Sequence, residues 1–390
     1  MAKRIGIENS LAVAEAVKLA RAEVIAAYPI TPQTHIVEEL SQIVANGELE
    51  AEFIPVESEH SAMSAAIGAS AAGARVYTAT ASQGLALMHE ILFIASSLRL
   101  PIVMTVANRS LSGPISIWND HSDVMAERDM GWIQVFGENG QEVFDLTIMA
   151  FRIAEDKRVL LPVAVNMDGF ILTHMIESIE IEEQEKIDKF LPPYKPVLRL
   201  DPAHPISMGP VGVPEIYAEA KKQQEVALLE SKAVIKEVFK EWAEQFGRAY
   251  NLIETNGPEQ AEVVFITMGS LGETVMSALD LINVQGDKAR QVRIRLWRPF
   301  PEEELLAALE GAKKVIVIDR AVSFGTSYGP VAGEIRSMLY KLKEQPEVYN
   351  FICGLGGRDV TRQEFKQMYE LAEQGQYKDK YLIWGVREND

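Results

Sequence analysis

The chain has 390 residues, 47% of them hydrophobic, which is too much for one ordinary core and sets an expectation of about two or three domains. With 38 Lys and Arg against 56 Asp and Glu, its formal charge of −18 repels nucleic acid and anionic lipid, which excludes both as partners. Its one cysteine, Cys353, excludes an internal disulfide, a CxxC redox pair, a thiolate zinc site and an iron-sulfur cluster held by this chain alone. The histidines show no metal-ligand spacing, so no metal is expected here. No apolar run is long enough to span a bilayer and no charged leader precedes one, so the chain reads as cytoplasmic, with no membrane contact.

Between residues 9 and 166, apolar runs at 23–27, 52–56, 75–79, 102–106, 133–136 and 159–166 alternate with helical periodicity at 10–20, 33–45, 58–72, 83–98 and 140–155. Runs that are apolar on both faces predict a parallel sheet covered by helices on each side. From about 186 to 212 the pattern lapses into the proline-rich "LPPYKPVLRLDPAHPISMGPVGVP", which predicts a surface connector. A helix is then predicted from Pro214 to about Phe246, with Ile235, Val238, Trp242 and Phe246 on one stripe and Gly247 just past its end. At about 1.5 Å per residue it is roughly 50 Å long, more than one small domain needs. A second α/β unit follows, with strands near 261–267, 291–296, 313–318 and 347–352 and helices near 271–283, 301–310, 329–342 and 361–373. Thr361 and Glu364 have the spacing of a capping box for the last of these. The fold class is therefore α/β with two parallel-sheet domains, residues 1–185 and 256–390, joined by a connector and long helix at 186–255.

Sites in such sheets lie outside the carboxyl ends of the strands, where four stretches fall. In "YPITPQT" (28–34), Pro32 suits the first position of the next helix and Thr31 its N-cap, which would place the threonine where free N–H groups favour an anion. Thr31 could equally do no more than cap. In "VESEHSAMSAAIGASAAGA" (56–74), two glutamates precede a helix so rich in small residues that something must approach its backbone. Glu57 reads as an ordinary first-turn acid; Glu59 begins the small-residue face, where burial beside an aromatic nitrogen would make it a proton donor. Ser82, Gln83 and Gly84 form a small-residue turn between strand and helix, able to touch a ligand or merely to connect. Arg109 ends a strand, where its planar guanidinium could take a carboxylate bidentately rather than form a surface ion pair. The loop after it, with Ile115, Ile117 and Trp118, reads as a lid that Asn119, Asp120 and His121 could line. No GxxxxGK[ST], no GxGxxG after the first strand and no metal-diphosphate motif is present; Asp168-Gly169 is only a fragment of the last.

Together, "YPITPQT", "VESEHSAM", "ATASQGLALM" and "ANRSLSGPISIWNDHSD", with "RLWRPFP" (295–301) and "GLGGRD" (354–359), resemble the alpha subunit of 2-oxoacid:ferredoxin oxidoreductases, most closely the pyruvate type. The resemblance implies a thiamine pyrimidine-binding domain followed by a transketolase C-terminal-like domain. It implies an enzyme that oxidatively and reversibly decarboxylates pyruvate, with CoA and ferredoxin, to acetyl-CoA and CO₂. Thiamine diphosphate would be shared with a beta subunit that holds the diphosphate and Mg²⁺; 4Fe-4S clusters would lie in partner subunits, which include ferredoxin-like and gamma subunits. By motif, Glu59 takes the place of the glutamate that bonds the pyrimidine N1′. Thr31 and Arg109 take those that contact substrate, with Asn119 beside them, and Pro29, Ile30, Ser82, Gln83, Gly84 and Met88 line the cofactor. Relatives acting on oxalate carry a basic residue where this chain has Thr31, so a neutral hydroxyl points to a monocarboxylate. The same enzyme class acting on 2-oxoisovalerate or 2-oxoglutarate, and a non-catalytic scaffolding subunit of a thiamine enzyme, are the alternatives.

Overall fold

The computed structural model describes residues 2–286, 288–378 and 380–387. The first region runs β1 (Lys3–Glu8), α1 (Asn9–Leu19), β2 (Val24–Ala27), α2 (Thr34–Ala45), β3 (Glu52–Pro55), α3 (Glu59–Ala71), β4 (Val76–Thr80), α4 (Ser82–Leu87) and α5 (His89–Ser97). It continues through β5 (Ile102–Asn108), α6 (Ser122–Ala126), β6 (Ile133–Phe136), α7 (Gly140–Ala154), β7 (Val163–Asp168), β8 (Ile176–Ile181) and α8 (Gln184–Phe190) to the long helix α9 (Pro214–Phe246). The rest is β9 (Ile253–Asn256), β10 (Val263–Met268), α10 (Leu271–Ile282), β11 (Ala289–Ile294), β12 (Leu296–Arg298), α11 (Glu302–Ala308), β13 (Lys314–Asp319), α12 (Pro330–Leu339), β14 (Glu347–Ile352), α13 (Arg362–Glu373) and β15 (Tyr381–Ile383).

The apolar runs become the interior of a seven-stranded sheet ordered β12-β6-β7-β5-β4-β2-β3, in which every pairing is parallel except β12 with β6. β4, β5 and β7 are buried along their whole length, as continuous apolar strands between two helical layers must be. The six-stranded sheet is ordered β15-β14-β13-β10-β11-β9, with β9 antiparallel at its edge. β1 and β8 form a separate antiparallel pair that the sequence reading missed.

Four other expectations need correction. The strand placed at 291–296 stops at Ile294; Leu296–Arg298 crosses over and pairs with β6, so half of "RLWRPFP" belongs to the first sheet. The helix placed at 83–98 is two, α4 and α5, parted at Met88. The connector begins only after α8, which occupies 184–190. Finally, α2 starts at Thr34, with Gln33 at its N-cap, so Thr31 does not cap and Pro32 is not its first residue. The Gln33 side chain causes this by donating to the carbonyls of Tyr28 (2.8 Å) and Ala79 (3.2 Å), which ties a separate turn to the end of β4.

α9 covers 33 residues with Ile235, Val238 and Trp242 buried, and Gly247 ends it in the left-handed conformation (φ 76°). Thr361 and Glu364 form the expected capping box. The two sheets share a core: Ala62, Met63, Val76 and Met104 pack in one cluster with Val264, Val292, Trp297 and Val317.

Two charged clasps lock the regions together. Glu142 at the start of α7 meets Arg293 (3.0 Å) and Arg295, all three buried. Burial opposes the Glu142 charge, but the two guanidiniums hold its carboxyl below the usual range. Asp168, at the end of β7, accepts from Arg320 (2.7 Å), the Ser270 N–H (2.9 Å) and the Ser270 hydroxyl. His121 lies 2.8 Å from its other oxygen. Burial again opposes ionisation, and Arg320 and His121 overcome it and hold the Asp168 carboxyl well below its ordinary value. Asp168 is thus a structural anion. Its neighbour Gly169 is where Pro32 packs, since a Cβ there would lie 2.6 Å from the Pro32 ring.

Candidate active site

The loops after β2, β3, β4 and β5 meet at one rim of the first sheet, where its strand order reverses. Ser58 caps α3 by accepting from the Ser61 N–H (3.2 Å), which starts the helix at Glu59. Glu57 stays outside; its exposed carboxylate accepts from the Ser61 hydroxyl, and that bond holds its carboxyl below the usual value. Glu59 turns inward, 6% exposed. Among the described residues no donor meets its carboxylate. A Cβ on Gly84 would stand 2.6 Å from Glu59 Oε1 and 2.5 Å from Thr80 Oγ1, so glycine at this position is what lets the carboxylate in.

Gly84 lies in the first turn of α4, not in a connecting turn ahead of the helix, and that turn begins at Ser82, which is buried and left-handed (φ 46°), an unfavourable conformation for a residue with a Cβ. Its N–H donates to Asp123 Oδ2 (3.1 Å) and its hydroxyl to the Ser110 carbonyl (2.6 Å). The same Asp123 oxygen accepts from the Arg109 N–H at 2.9 Å. One buried carboxylate therefore holds the Ser82 and Arg109 loops together. Burial pushes its carboxyl up to about 7, against the three backbone N–H bonds that favour the charge. Asp123 closes the stretch "ANRSLSGPISIWNDHSD", but it lies far along the chain from Ser82 and the sequence alone assigns it no role.

Arg109 follows the last residue of β5 and is 6% exposed, so it is no surface ion pair. Its Nε donates to the Ser116 carbonyl (2.8 Å) and its Nη1 to the Thr31 carbonyl (2.9 Å). The remaining donors of the fork, Nη2 among them, meet no acceptor among the described residues. Thr31 itself is exposed, as is Pro29, while Ile30 is half-buried against the core. Gln83 is half-buried beside Ser82, and Met88 is fully buried between α4 and α5. The contacts thus join Glu59 to the Ser82–Gly84 turn, that turn to Arg109 through Asp123, and Arg109 to Thr31.

Asn119 behaves differently from the expectation. Its amide donates to the Asn108 carbonyl and to the Asp168 carboxylate (3.2 Å each), so its N–H groups are spent within the chain and none is left for the carboxylate of a substrate. The lid is anchored there: the Gly357 N–H donates to the Asn119 carbonyl (2.6 Å), the Gly356 N–H to Asp120 (3.2 Å) and the His121 N–H to the Arg320 carbonyl (2.9 Å). This is where "GLGGRD" acts, because a Cβ on Gly357 would collide with Trp118 at 2.6 Å. The lid's tip leaves Ile115 77% exposed and Trp118 51% exposed. A cleft of about 780 Å³ lies between the lid and the second sheet, lined by Ser110, Pro114, Asp120, Arg128, Ser323 and Phe324 among others; Glu59, Thr31 and Arg109 do not line it.

A doubly wound sheet that brings an inward-facing carboxylate without a protein donor and a part-open guanidinium fork to its carboxyl rim has the arrangement of an α/β enzyme domain that binds its ligand at the strand ends. The model of the pyruvate flavodoxin/ferredoxin oxidoreductase thiamine-diphosphate-binding domain matches residues 15–240, and that of the pyruvate:ferredoxin oxidoreductase core domain II matches 261–365. The chain belongs to the pyruvate flavodoxin/ferredoxin oxidoreductase family. It is 50% identical to the pyruvate synthase subunit PorA of Methanocaldococcus jannaschii, over 98% of this chain and 98% of that one. It is also 46% identical to the ketoisovalerate oxidoreductase subunit VorA of Pyrococcus horikoshii, over 97% of this chain and 96% of that one. Among solved structures, the 2-oxoglutarate:ferredoxin oxidoreductase of Magnetococcus marinus shares the fold, with a TM-score of 0.73 at 21% identity over 96% of this chain and 65% of that one.

Proposed function

We propose that this chain is the alpha subunit of a cytoplasmic pyruvate:ferredoxin oxidoreductase, holding the pyrimidine half of thiamine diphosphate. The observation that carries the reading is Glu59, buried with no partner for its carboxylate against the bare Cα of Gly84. A carboxylate that turns inward and meets no protein donor is open to a ligand, and a pyrimidine nitrogen is such a ligand. The site fits the ring in one further respect, the Gly84 cradle, which a Cβ would fill. When bound, thiamine diphosphate supplies a carbon nucleophile and an electron sink for the departing carboxylate.

The chain's own residues then have separable roles. Glu59 holds and exchanges a proton at the pyrimidine N1′. Arg109, its backbone fixed by Asp123 and its guanidinium tied to Thr31 and Ser116, offers its open donors to the carboxylate of the 2-oxoacid. Thr31, exposed beside that fork, supplies a neutral hydroxyl, which suits a substrate with one carboxylate. The Ser82–Gly84 turn, with Pro29, Ile30, Gln83 and Met88, lines the ring. In the overall reaction pyruvate and CoA give acetyl-CoA, CO₂, one proton and two electrons for ferredoxin. A single cysteine cannot ligate a cluster, so 4Fe-4S clusters, like Mg²⁺ and the diphosphate grip, belong to a beta subunit and to small ferredoxin-like and gamma subunits. The exposed apolar rim of Tyr28, Ile117 and Trp118 is where the beta subunit would cover the site. The division at 1–185, 186–255 and 256–390 describes these modules, with residues 296–298 crossing between them.

Calorimetry of thiamine diphosphate with this chain alone and with the beta partner tests the half-site: tight binding is expected only in the mixture. The same mixture assayed with pyruvate, 2-oxoisovalerate and 2-oxoglutarate tests the substrate. Preference for 2-oxoisovalerate would move the chain to the ketoisovalerate branch of its relatives, and no turnover with any of the three would leave it a scaffold.

A further inference from the structure

The last strand before the Ser82 turn carries hydroxyls that the fold leaves unpaired. Residues 76, 78 and 80 alternate onto one face of β4, the face on which Val76 packs in one cluster with Ala62, Met63 and Ala66 of α3. Thr78 Oγ1 and Thr80 Oγ1 are both buried, and neither has a hydrogen-bond partner among the described residues. Valine would fill either position with the same shape and no unpaired oxygen, so each hydroxyl is kept against the stability of the fold.

What separates Thr80 from Thr78 is its neighbour. A Cβ on Gly84 would stand 2.5 Å from Thr80 Oγ1 and 2.6 Å from Glu59 Oε1. The two oxygens therefore flank one bare Cα, an unpaired donor beside an unpaired acceptor. Glu59 has three side-chain torsions with which to reach the pyrimidine, and nothing among the described residues fixes the last of them. We propose that Thr80 is the positioning residue for Glu59: in the assembled, cofactor-loaded enzyme its hydroxyl donates to the Glu59 carboxylate and keeps one oxygen aimed at N1′. Thr80 touches neither cofactor nor substrate and acts through Glu59, so the inference rests on the thiamine reading of that residue.

The test compares Thr80→Val, Thr80→Ser, Thr78→Val and Glu59→Gln in the complex with the beta partner. The thermal midpoint is read without cofactor, and kcat and KM for pyruvate are read with it. Thr80→Val is expected to raise the midpoint, because an unpaired buried hydroxyl is removed at nearly constant shape. It should also lower kcat by roughly tenfold or more, the scale of one hydrogen bond to a charged group, with KM for pyruvate unchanged. Thr80→Ser should keep kcat near wild type. Thr78→Val should raise the midpoint and leave kcat intact. The proposal is overturned by a Thr80→Val enzyme of wild-type kcat, by a Thr80→Ser enzyme as slow as Thr80→Val, or by a Thr80→Val midpoint below wild type. Wild-type turnover in Glu59→Gln would instead overturn the thiamine reading beneath it; a dead Glu59→Gln beside a neutral Thr80→Val sinks the role of Thr80 alone.

Discussion

Two places at the strand ends treat their carboxylates in opposite ways. At the carboxyl rim of the second sheet Asp319 accepts from the Val331 and Ala332 N–H groups at the start of α12, and where the first sheet faces the second, Asp168 at the end of β7 fills the N-terminus of α10 through Ser270. The positions where such folds commonly hold a phosphate are occupied by the chain's own carboxylates. Around Glu59 on the first sheet the opposite holds: no donor among the described residues meets its carboxylate, the Thr80 hydroxyl beside it is orphaned and the Arg109 fork is part-open. The same architecture thus carries bonded carboxylates at one place and, around Glu59, a carboxylate left open to a ligand.

The largest expected effects break this contrast from both sides. Glu59→Gln should lower turnover of the assembled enzyme by about 100-fold to 10,000-fold, the usual range for losing a proton-transfer group, and leave thermal stability unchanged. A variant with wild-type turnover would remove Glu59 from the chemistry; one that unfolds early would make it structural. Asp168→Asn should do the reverse. It leaves Arg320 buried without a counter-charge, which costs about 3 to 5 kcal/mol, read as an earlier denaturant midpoint of the chain. An unchanged midpoint would mean that the clasp does not hold the sheets together.

Much of this contrast was legible before the structure, but unevenly. Continuous apolar runs announced the interior strands, because a strand buried on both faces has no room for alternation. β1 was invisible for the converse reason: Lys3, Arg4 and Glu8 make it read as polar, and only its pairing with Ile176–Ile181 makes it a strand. The crossing at Arg295 could not be read either, since "RIRLWR" is equally a strand of either sheet. In the site, Glu59 stood out because a carboxylate opening a helix of alanines and serines needs a reason. Thr31 was misassigned as a cap because Thr-Pro spells that motif locally, whereas the Gln33 amide reaching Ala79 decides the turn from 46 residues away. Asp123 and Thr80 lie inside the quoted stretches, but Asp123 meets Ser82, and Thr80 lies near Glu59, only across the fold, and no local pattern carries that information.

A smaller effect sharpens the open side of the comparison. Arg109→Lys keeps a positive charge but loses the planar fork, so KM for pyruvate should rise by roughly tenfold or more while the fold persists. An unchanged KM would make Arg109 a brace for Thr31 and Ser116 and nothing else. A rise confined to kcat would place its role in orientation rather than binding.

The last effect concerns the satisfied side and is the one that depends on pH. Burial pushes the Asp319 carboxyl up to about 6 from its ordinary value of 3.8, although Val331, Ala332 and Asn350 all donate to it. Between those two values the folded chain binds more protons at this position than the unfolded chain does. Stability from this group therefore falls as pH rises from about 4 to 6 and levels off above, with a slope of at most about 1.4 kcal/mol per pH unit. Asp319→Asn cannot titrate, so the midpoint of the variant minus that of wild type should climb across the same window and then stay flat, as every other carboxylate cancels in the difference. A flat difference from pH 4 upward would mean that the N-terminus of α12 stabilises the charge more than burial penalises it. The second sheet would then be holding its anions at no cost, and the contrast with Glu59 would lie in the missing donors alone rather than in burial.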